Sequence, residues 1–264
     1  MKIGFIGCGN MATAMLHGIM KKGLVEKKDL IASAKSDRTR KKIEQELGIQ
    51  LAADNRQAAA EADILILAVK PVYMEQIIGE IAECVRPESL VVTLAPGKTL
   101  QWLDAMFGKP TKLVRTMPNT PALVGEGMTA LCSNEFVTEE ELEKVVQIFQ
   151  SFGKTQVVPE SMIDVVVGVS GSSPAYVFMF IEAMADAAVA DGMPRSQAYE
   201  FAAQAVLGSA KMVLETGKHP GELKDMVCSP GGTTIGAVRV LEEKGMRSSV
   251  FEACKACVKK AKGL

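Results

Sequence analysis

Short apolar runs alternate with amphipathic stretches up to about residue 158. Runs without polar interruption are typical of strands buried on both faces of a parallel sheet, and the stretches between them have the spacing of helices that cover such a sheet. The pattern therefore predicts an α/β domain built on a parallel sheet. Its predicted strands are Lys2–Ile6, Leu30–Ala34, Ile64–Val69, Leu90–Leu94 and Leu113–Met117.

The pattern changes after Pro159, where strand signals give way to long, alanine-rich helical patterns without internal repeats. We predict two domains, one over residues 1–160 and an all-α one over residues 161–264. The stretch Ala175–Ala190 is apolar around most of its circumference, so we expect it to be buried nearly all round, as a core helix or at a subunit interface. The predicted helices of this half cover residues 173–191, 195–215, 233–244 and 247–262.

Composition narrows the class of protein. The formal net charge is -1, so nothing indicates a partner such as nucleic acid. Glu182 and Asp186 interrupt the most apolar helix, and we expect no membrane span. The six cysteines are scattered through a chain too long to need disulfides, which favours a reducing, cytoplasmic location. They are Cys8, Cys84, Cys132, Cys228, Cys254 and Cys257. Cys254 and Cys257 form a C-x-x-C motif inside a helical pattern. We interpret these two cysteines as having no metal-binding or redox role, and we assign no metal ligand.

A glycine loop follows the first predicted strand and opens the first helix. Gly7, Gly9 and Ala12 fit the G-x-G-x-x-G/A pattern. Gly7 permits the tight turn, Gly9 lets the backbone approach a pyrophosphate, and Ala12 allows close packing of helix on strand. The free N–H groups of the helix N-terminus would face the phosphates. The first domain is therefore predicted to be a Rossmann-type dinucleotide-binding domain.

The choice of cofactor depends on the end of the second strand, where an acid would bind the ribose hydroxyls of NAD. Residues 32–36 contain no acid. The polar side chains that could bind a 2′-phosphate here are Ser33, Lys35, Ser36 and Arg38. Asp37 lies close enough for a looser turn to use it instead. The sequence favours NADP(H) and leaves NAD(H) open.

Three further loops end strands in small or conformationally fixed residues: Ala68–Pro71, Leu94–Gly97 and Met117–Pro121. Ligands of open α/β sheets bind outside the carboxyl ends of the strands, so we expect these loops to gather on one rim. Asn55 precedes a helical stretch and has two interpretations. It could cap that helix, or it could face the adenine side of the cofactor.

A second candidate site lies in the helical half, at Ser229–Thr234, directly before the helix that begins near Thr233. Successive glycines before a helix leave backbone N–H groups free to wrap an anion, and the Ser and Thr hydroxyls add donors. A substrate carboxylate would fit this loop. The alternative is a capped helix after a glycine turn.

The reaction is indicated by the groups that are missing. Reduction of a ketone needs a placed proton donor, yet His17 lies in the first helix and His219 precedes a proline in a turn. No lysine occurs over residues 155–210. An iminium already carries its proton on nitrogen, so hydride addition gives the amine directly. The sequence favours reduction of a cyclic imine.

These segments together resemble the pyrroline-5-carboxylate reductases along essentially the whole chain. The resemblance rests on the motifs over residues 5–11, 68–71, 117–121, 171–176, 219–225 and 229–235. It implies an NAD(P)H-dependent oxidoreductase that converts L-1-pyrroline-5-carboxylate to L-proline, the final step of proline biosynthesis. It also implies an α-helical dimerisation domain interleaved between two subunits, with dimers often assembled into larger rings.

The resemblance assigns residues too. Ser229 and the backbone at Gly232 and Thr233 would hold the substrate carboxylate, and Thr234, the expected catalytic residue, would bond the ring nitrogen. With Lys35 from the strand-end argument, the expected cofactor residues are Ile6, Gly7, Cys8, Gly9, Asn10, Met11, Ser33, Lys35, Asn55, Ala68, Val69, Lys70, Pro71, Ala95 and Gly97. Two departures from the family are Ser173, where glycine is usual, and Pro96, which cannot donate a backbone hydrogen bond.

Two other functions compete with this one. A β-hydroxyacid dehydrogenase would pair a similar nucleotide domain with helices but needs a catalytic lysine, which the lysine-free interval does not supply. The second alternative, a non-catalytic NADP-sensing protein, would not explain the anion-binding features of the loop Ser229–Thr234.

Overall fold

The computed structural model describes residues 1–263, and residue 264, the last of the predicted helical domain, lies outside them. An eight-stranded sheet runs in the order β3-β2-β1-β4-β5-β6-β7-β8. The strands are β1 (Ile3–Ile6), β2 (Leu30–Ser33), β3 (Gln50–Leu51), β4 (Ile64–Leu67), β5 (Leu90–Thr93), β6 (Lys112–Met117), β7 (Gly127–Ser133) and β8 (Gly153–Val157). The five predicted strands are all present.

Seven helices belong to this part of the chain. They are α1 (Asn10–Lys22), α2 (Asp37–Lys41), α3 (Asn55–Glu61), α4 (Met74–Ile81), α5 (Leu100–Phe107), α6 (Glu139–Gln150) and α7 (Glu160–Val166). π-Helical turns over Lys42–Leu47 and Val167–Gly171 continue α2 and α7. Helices therefore alternate with the strands, as the pattern predicted.

The expected parallel sheet is present except at β7, which pairs with β6 in the antiparallel direction. Only residues 118–126 connect the two strands, and a parallel return needs a crossover of about a dozen residues or more. The strands β3, β7 and β8 were not predicted. β3 has two residues and β8 is largely exposed, so neither shows the continuous apolar run of a central strand.

Both faces of the sheet are buried, and alternate residues of one strand supply them. In β4, Ile64 and Ile66 join a hydrophobic cluster with α1 and α6. Leu65 and Leu67 join a second cluster with α4 and α5. This two-sided burial explains why the central strands read as uninterrupted apolar runs.

An ion triad around the buried Arg115 side chain, with two partly exposed carboxylates, fastens α7 to the sheet. The Arg115 side chain of β6 is only 2% exposed, and its guanidinium Nη1 and Nη2 atoms each lie 3.0 Å from a carboxylate oxygen, of Glu160 and Asp164 respectively. The same Glu160 oxygen accepts the backbone N–H of Leu100 at 2.7 Å. Glu160 therefore joins β6, α7 and the first turn of α5.

Residues Ser172–Ala256 form a second compact unit, while the chain from Cys257 onward belongs with residues 1–171. Its helices are α8 (Ser173–Ala190), α9 (Arg195–Thr216), α10 (Pro220–Met226), α11 (Thr233–Glu243) and the part of α12 (Met246–Ala261) that precedes Cys257. The four predicted helices are present with ends shifted by a residue or so. α10 was missed because Pro220 was taken for a break, whereas proline is favoured in the first turn of a helix.

The expectation that the apolar helix is buried nearly all round was wrong for the single chain. Ala185 is the one buried residue of α8. Phe178 and Met179 are 63% and 68% exposed. A helix this apolar has hydrophobic side chains that its own subunit does not cover.

Candidate functional site

The glycine loop has the geometry of an anion-binding turn. Gly7 follows β1 with a φ of 86°, a left-handed conformation that favours glycine. A Cβ atom on Gly7 would lie 2.8 Å from the carbonyl oxygen of Ala68. Gly9 stands at the N-cap of α1 without a side-chain cap, and a Cβ there would meet nothing within 4 Å. The first N–H groups of α1 are thus left for a ligand.

The loops after β1, β4 and β5 meet on one rim, as predicted. The backbone N–H of Ala68 donates to Ile6 at 2.9 Å, and that of Leu94 to Leu67 at 3.4 Å. β6 runs parallel beside β5, so Met117 ends on the same edge. Parallel strand ends place these segments on the same edge of the sheet as the glycine turn.

A cavity of about 430 Å³ opens at this rim beside the glycine turn. Six of the expected cofactor residues line it: Ile6, Gly7, Ser33, Lys35, Asn55 and Val69. Eight lining residues were not anticipated: Ala34, Arg40, Ala53, Asp54, Tyr73, Gln76, Ile77 and Glu80. The remaining expected residues lie outside the lining: Cys8, Gly9, Asn10, Met11, Ala68, Lys70, Pro71, Ala95 and Gly97. The lining residues of α4 are Gln76, Ile77 and Glu80. They were missed because the helical spacing of this segment predicts only that the helix packs on the core.

A hydrogen-bonded relay runs along the cavity. The buried Ser33 hydroxyl donates to Asn55 Oδ1 at 2.6 Å, and Asn55 Nδ2 donates to Glu80 at 2.9 Å. The interpretation of Asn55 as a helix cap was wrong. Asp54 caps α3 instead, accepting the backbone N–H of Gln57 at 2.8 Å. The Asn55 amide is thereby fixed at the cavity wall.

The loop after β5 offers few free backbone N–H groups. Ala95 N–H donates to the Thr93 hydroxyl at 3.2 Å, and Gly97 has a φ of 72°. Pro96 between them has no N–H. Neither Ala95 nor Pro96 therefore has an uncommitted backbone donor for a ligand.

Burial keeps Cys8 unreactive. The thiol lies in the glycine turn but is only 4% exposed, and burial raises its pKa above the ordinary value. A thiol of raised pKa is neutral at pH 7 and a poor nucleophile.

The second candidate site, Ser229–Thr234, leads into α11. Gly231 has a φ of 69°, and Gly232 is the N-cap of α11 without a side-chain cap. The expectation that both glycine N–H groups are free was wrong, because Gly232 N–H donates to the Ser229 carbonyl at 3.0 Å. A side chain at position 232 would overlap the Ser229 hydroxyl. The loop thus presents an exposed Ser229 hydroxyl and the first N–H groups of α11.

His219 has a structural partner of its own. Its Nδ1 accepts the backbone N–H of Gly221 at 3.0 Å, which caps α10. A ring nitrogen used in this way is poorly placed to deliver a proton to a substrate.

Comparison with known proteins gives full-length matches. The chain is 55% identical to a pyrroline-5-carboxylate reductase of Escherichia coli over 100% of its own length and 98% of that protein. The chain belongs to the pyrroline-5-carboxylate reductase family. Residues 160–264 match the family model for pyrroline-5-carboxylate reductase dimerisation. Residues 2–97 match a model described as NADP oxidoreductase, coenzyme F420-dependent.

Solved structures of pyrroline-5-carboxylate reductases share the fold. The Coxiella burnetii enzyme aligns with a TM-score of 0.92 at 35% identity, covering 99% of this chain and 97% of that one. The Plasmodium falciparum enzyme, solved with NADP bound, aligns with a TM-score of 0.89 at 32% identity and the same coverage. The predicted class, a Rossmann-type domain followed by a helical dimerisation domain, is confirmed.

The dimerisation domain of this family accounts for the exposed apolar side chains of α8. By length and composition the helical run Glu160–Ala190 could cross a membrane, contrary to our expectation for this segment. Only 11% of its most apolar window is buried within the chain. One such helix is weak evidence for a membrane, since subunit contacts of a homo-oligomer bury the same kind of surface.

Over residues 1–263, no group of three or more His, Cys, Asp or Glu side chains could hold a metal ion. The six cysteines, all within that range, form no disulfide with one another.

Proposed function

We propose that this chain reduces L-1-pyrroline-5-carboxylate to L-proline with NAD(P)H, the final step of proline biosynthesis. The observation that carries the proposal is the match to pyrroline-5-carboxylate reductases over the whole chain. The two uncapped helix N-termini, of α1 and of α11, give that chemistry two places where an anion can bind.

The nucleotide domain, proposed over residues 1–160, fits a dinucleotide. The left-handed Gly7 and the open space beside Gly9 allow a pyrophosphate to approach the first turn of α1. The cavity beyond it, lined by Ser33, Lys35 and Asn55, has room for an adenosine phosphate. The proposed cofactor residues are those of residues 6–11 and 68–71 with Ser33, Lys35, Asn55, Ala95 and Gly97. The bound NAD(P)H supplies the hydride.

The loop before α11 is proposed to hold the substrate in the helical domain, residues 161–264. The Ser229 hydroxyl and the Thr233 N–H bind the carboxylate. Gly232 serves this site by leaving room for the Ser229 side chain rather than through its own N–H, which is already bonded. Thr234 accepts a hydrogen bond from the protonated ring nitrogen. When the ring carbon receives hydride, the iminium becomes a neutral amine, and no protein group need deliver a proton.

The assembly and location follow from the same family. We propose that the homo-oligomer is built from dimers through the helical domain, with rings of dimers as the larger form. The exposed apolar side chains of α8 support this, because water contact with them is unfavourable. A cytoplasmic location, with neither membrane nor nucleic acid as partner, completes the proposal.

A single assay tests the reaction. NADPH absorbance is followed with pyrroline-5-carboxylate, with NADP plus a 3-hydroxy acid in place of the imine, and without substrate. We expect absorbance to fall only with the imine. Formation of NADPH from the hydroxy acid would instead identify a β-hydroxyacid dehydrogenase, and no change under any condition would favour a non-catalytic NADP sensor.

Two hydroxyls of the second site should have separable effects. Thr234→Ala is expected to lower kcat about tenfold or more, since its hydrogen bond orients the reacting iminium. Ser229→Ala is expected to raise KM for the imine by a similar factor with a smaller change in kcat, because it binds the carboxylate before and during reaction. Steady-state kinetics on purified variants measure both.

Ser249→Ala is the matched control, because Ser249 lies in the same helical unit and its hydroxyl donates only to the Gly245 carbonyl. It should behave like the unmodified chain. Unchanged kinetics in both site variants would remove this loop from the active site.

A further inference from the structure

The Arg40 guanidinium is an unassigned cation at the nucleotide cavity. Arg40 lies in α2, is half-buried, and lines the cavity together with Ser33 and Lys35. Over residues 1–263, no carboxylate lies within 4 Å of it in an ion pair. A partly buried guanidinium without an anionic partner is favourable only where it can bind water or an anion.

The other polar residues near the end of β2 are placed differently. Ser36 caps α2, accepting the Thr39 N–H at 3.3 Å and bonding the Thr39 hydroxyl at 2.8 Å. Arg38 and Asp37 are exposed and stay outside the cavity lining. Of the residues expected to bind a 2′-phosphate, only Ser33 and Lys35 therefore reach the cavity.

The Ser33 hydroxyl cannot bind a phosphate as a donor while the relay is intact. Its single hydrogen goes to Asn55 Oδ1 at 2.6 Å, which leaves only lone pairs for a ligand. A phosphate oxygen needs hydrogen-bond donors. Lys35 and Arg40 are the cationic donors that line this cavity.

Two acidic residues also line the cavity. Asp54 and Glu80 both line it, and Glu80 is held by Asn55 Nδ2 at 2.9 Å. An anionic group is repelled by these carboxylates and attracted to the cations of Lys35 and Arg40. A phosphate in the cavity is therefore expected to bind at Lys35 and Arg40.

We propose that Arg40 binds the 2′-phosphate of NADP(H) and is the main determinant of NADPH over NADH in this chain, with Lys35 as a second cation. The inference rests on the proposed function for its cofactor. Arg40 can form two parallel hydrogen bonds to a phosphate, an arrangement that a lysine cannot match.

Binding of two adenosine fragments tests this without any imine. Calorimetry on the full-length chain compares 2′,5′-ADP, which carries the extra phosphate, with 5′-AMP, which does not. Arg40→Ala is expected to weaken 2′,5′-ADP about ten- to hundredfold, the range for hydrogen bonds to a charged group, and to change 5′-AMP less than about twofold. Arg40→Lys should recover part of the loss. Lys41→Ala is the charge-matched control, since Lys41 lies on the same helix outside the cavity lining.

Steady-state kinetics give the second measurement. In Arg40→Ala, kcat/KM should fall about ten- to hundredfold with NADPH and stay nearly constant with NADH. The proposal is overturned if Arg40→Ala leaves 2′,5′-ADP binding unchanged, if it weakens 5′-AMP equally, or if Arg38→Ala causes the loss instead. Should the fragments respond as expected while no variant oxidises NADPH with the imine, the proposed reaction fails and the role of Arg40 stands.

Discussion

Replacing Gly7 by alanine is expected to reduce NADPH-dependent turnover by at least about a hundredfold. The φ of 86° at this position costs a residue with a Cβ about 1–2 kcal/mol. The new Cβ would also lie 2.8 Å from both the Ala68 carbonyl oxygen and Val69 Cγ1, which must shift. That shift would displace two segments proposed to bind the cofactor, and a displacement of about 1 Å can cost a factor of 10² in rate. Initial rates at saturating imine over a range of NADPH concentrations measure it.

Gly9→Ala separates cofactor binding from folding. A Cβ on Gly9 meets nothing within 4 Å, so the thermal midpoint should stay within about one degree of the parent value. A bound pyrophosphate needs that space, and KM for NADPH should therefore rise. Normal NADPH kinetics in both glycine variants would show that the dinucleotide lies elsewhere.

Replacing Arg115 by alanine is expected to destabilise the chain by about 3–5 kcal/mol. The change removes a fully buried side chain and leaves Glu160 and Asp164 without their common cation. Urea unfolding followed by circular dichroism, at a fixed protein concentration, measures the free energy of unfolding. The oligomeric state must be the same for the parent chain and the variant, because subunit contacts add to the free energy of unfolding.

Two comparisons make this result specific. Lys144→Ala breaks an exposed pair with Glu140 and should cost no more than about 0.5 kcal/mol. Replacing all three members of the triad by apolar residues should cost less than Arg115→Ala alone, because no charge is then left unpaired. If Arg115→Ala were as mild as Lys144→Ala, the triad would contribute little to the fold.

The sequence was sufficient to predict an element when the residues of that element alone determine its structure. The apolar runs of β1, β4 and β5 predicted central strands, because a strand buried on both faces tolerates no polar position. The direction of β7 was not predictable in this way. It depends on the length of the loop after β6 and on which neighbour is available in the sheet.

The candidate site was likewise predictable from the sequence only in part. The residues of the glycine turn could be named from their spacing, since the turn needs glycine at fixed positions. Glu80 and Arg40 could not be named, because a helical residue reaches the cavity only through the packing of its helix on the sheet. The bond from Gly232 N–H to the Ser229 carbonyl was also beyond the sequence, which shows where donors occur but not which of them are already used.

The sequence by itself determined the five apolar strands, the four long helices of the second half, the change from strands to helices near residue 160, the glycine turn and the family, because each depends on neighbours along the chain. Tertiary structure alone decided which charged residues line the cavity, which hydroxyl and amide groups are already hydrogen-bonded, and that the apolar side chains of α8 are exposed within a single subunit. These depend on distances between segments far apart in sequence, and hydrogen bonding and desolvation change steeply over a few ångströms.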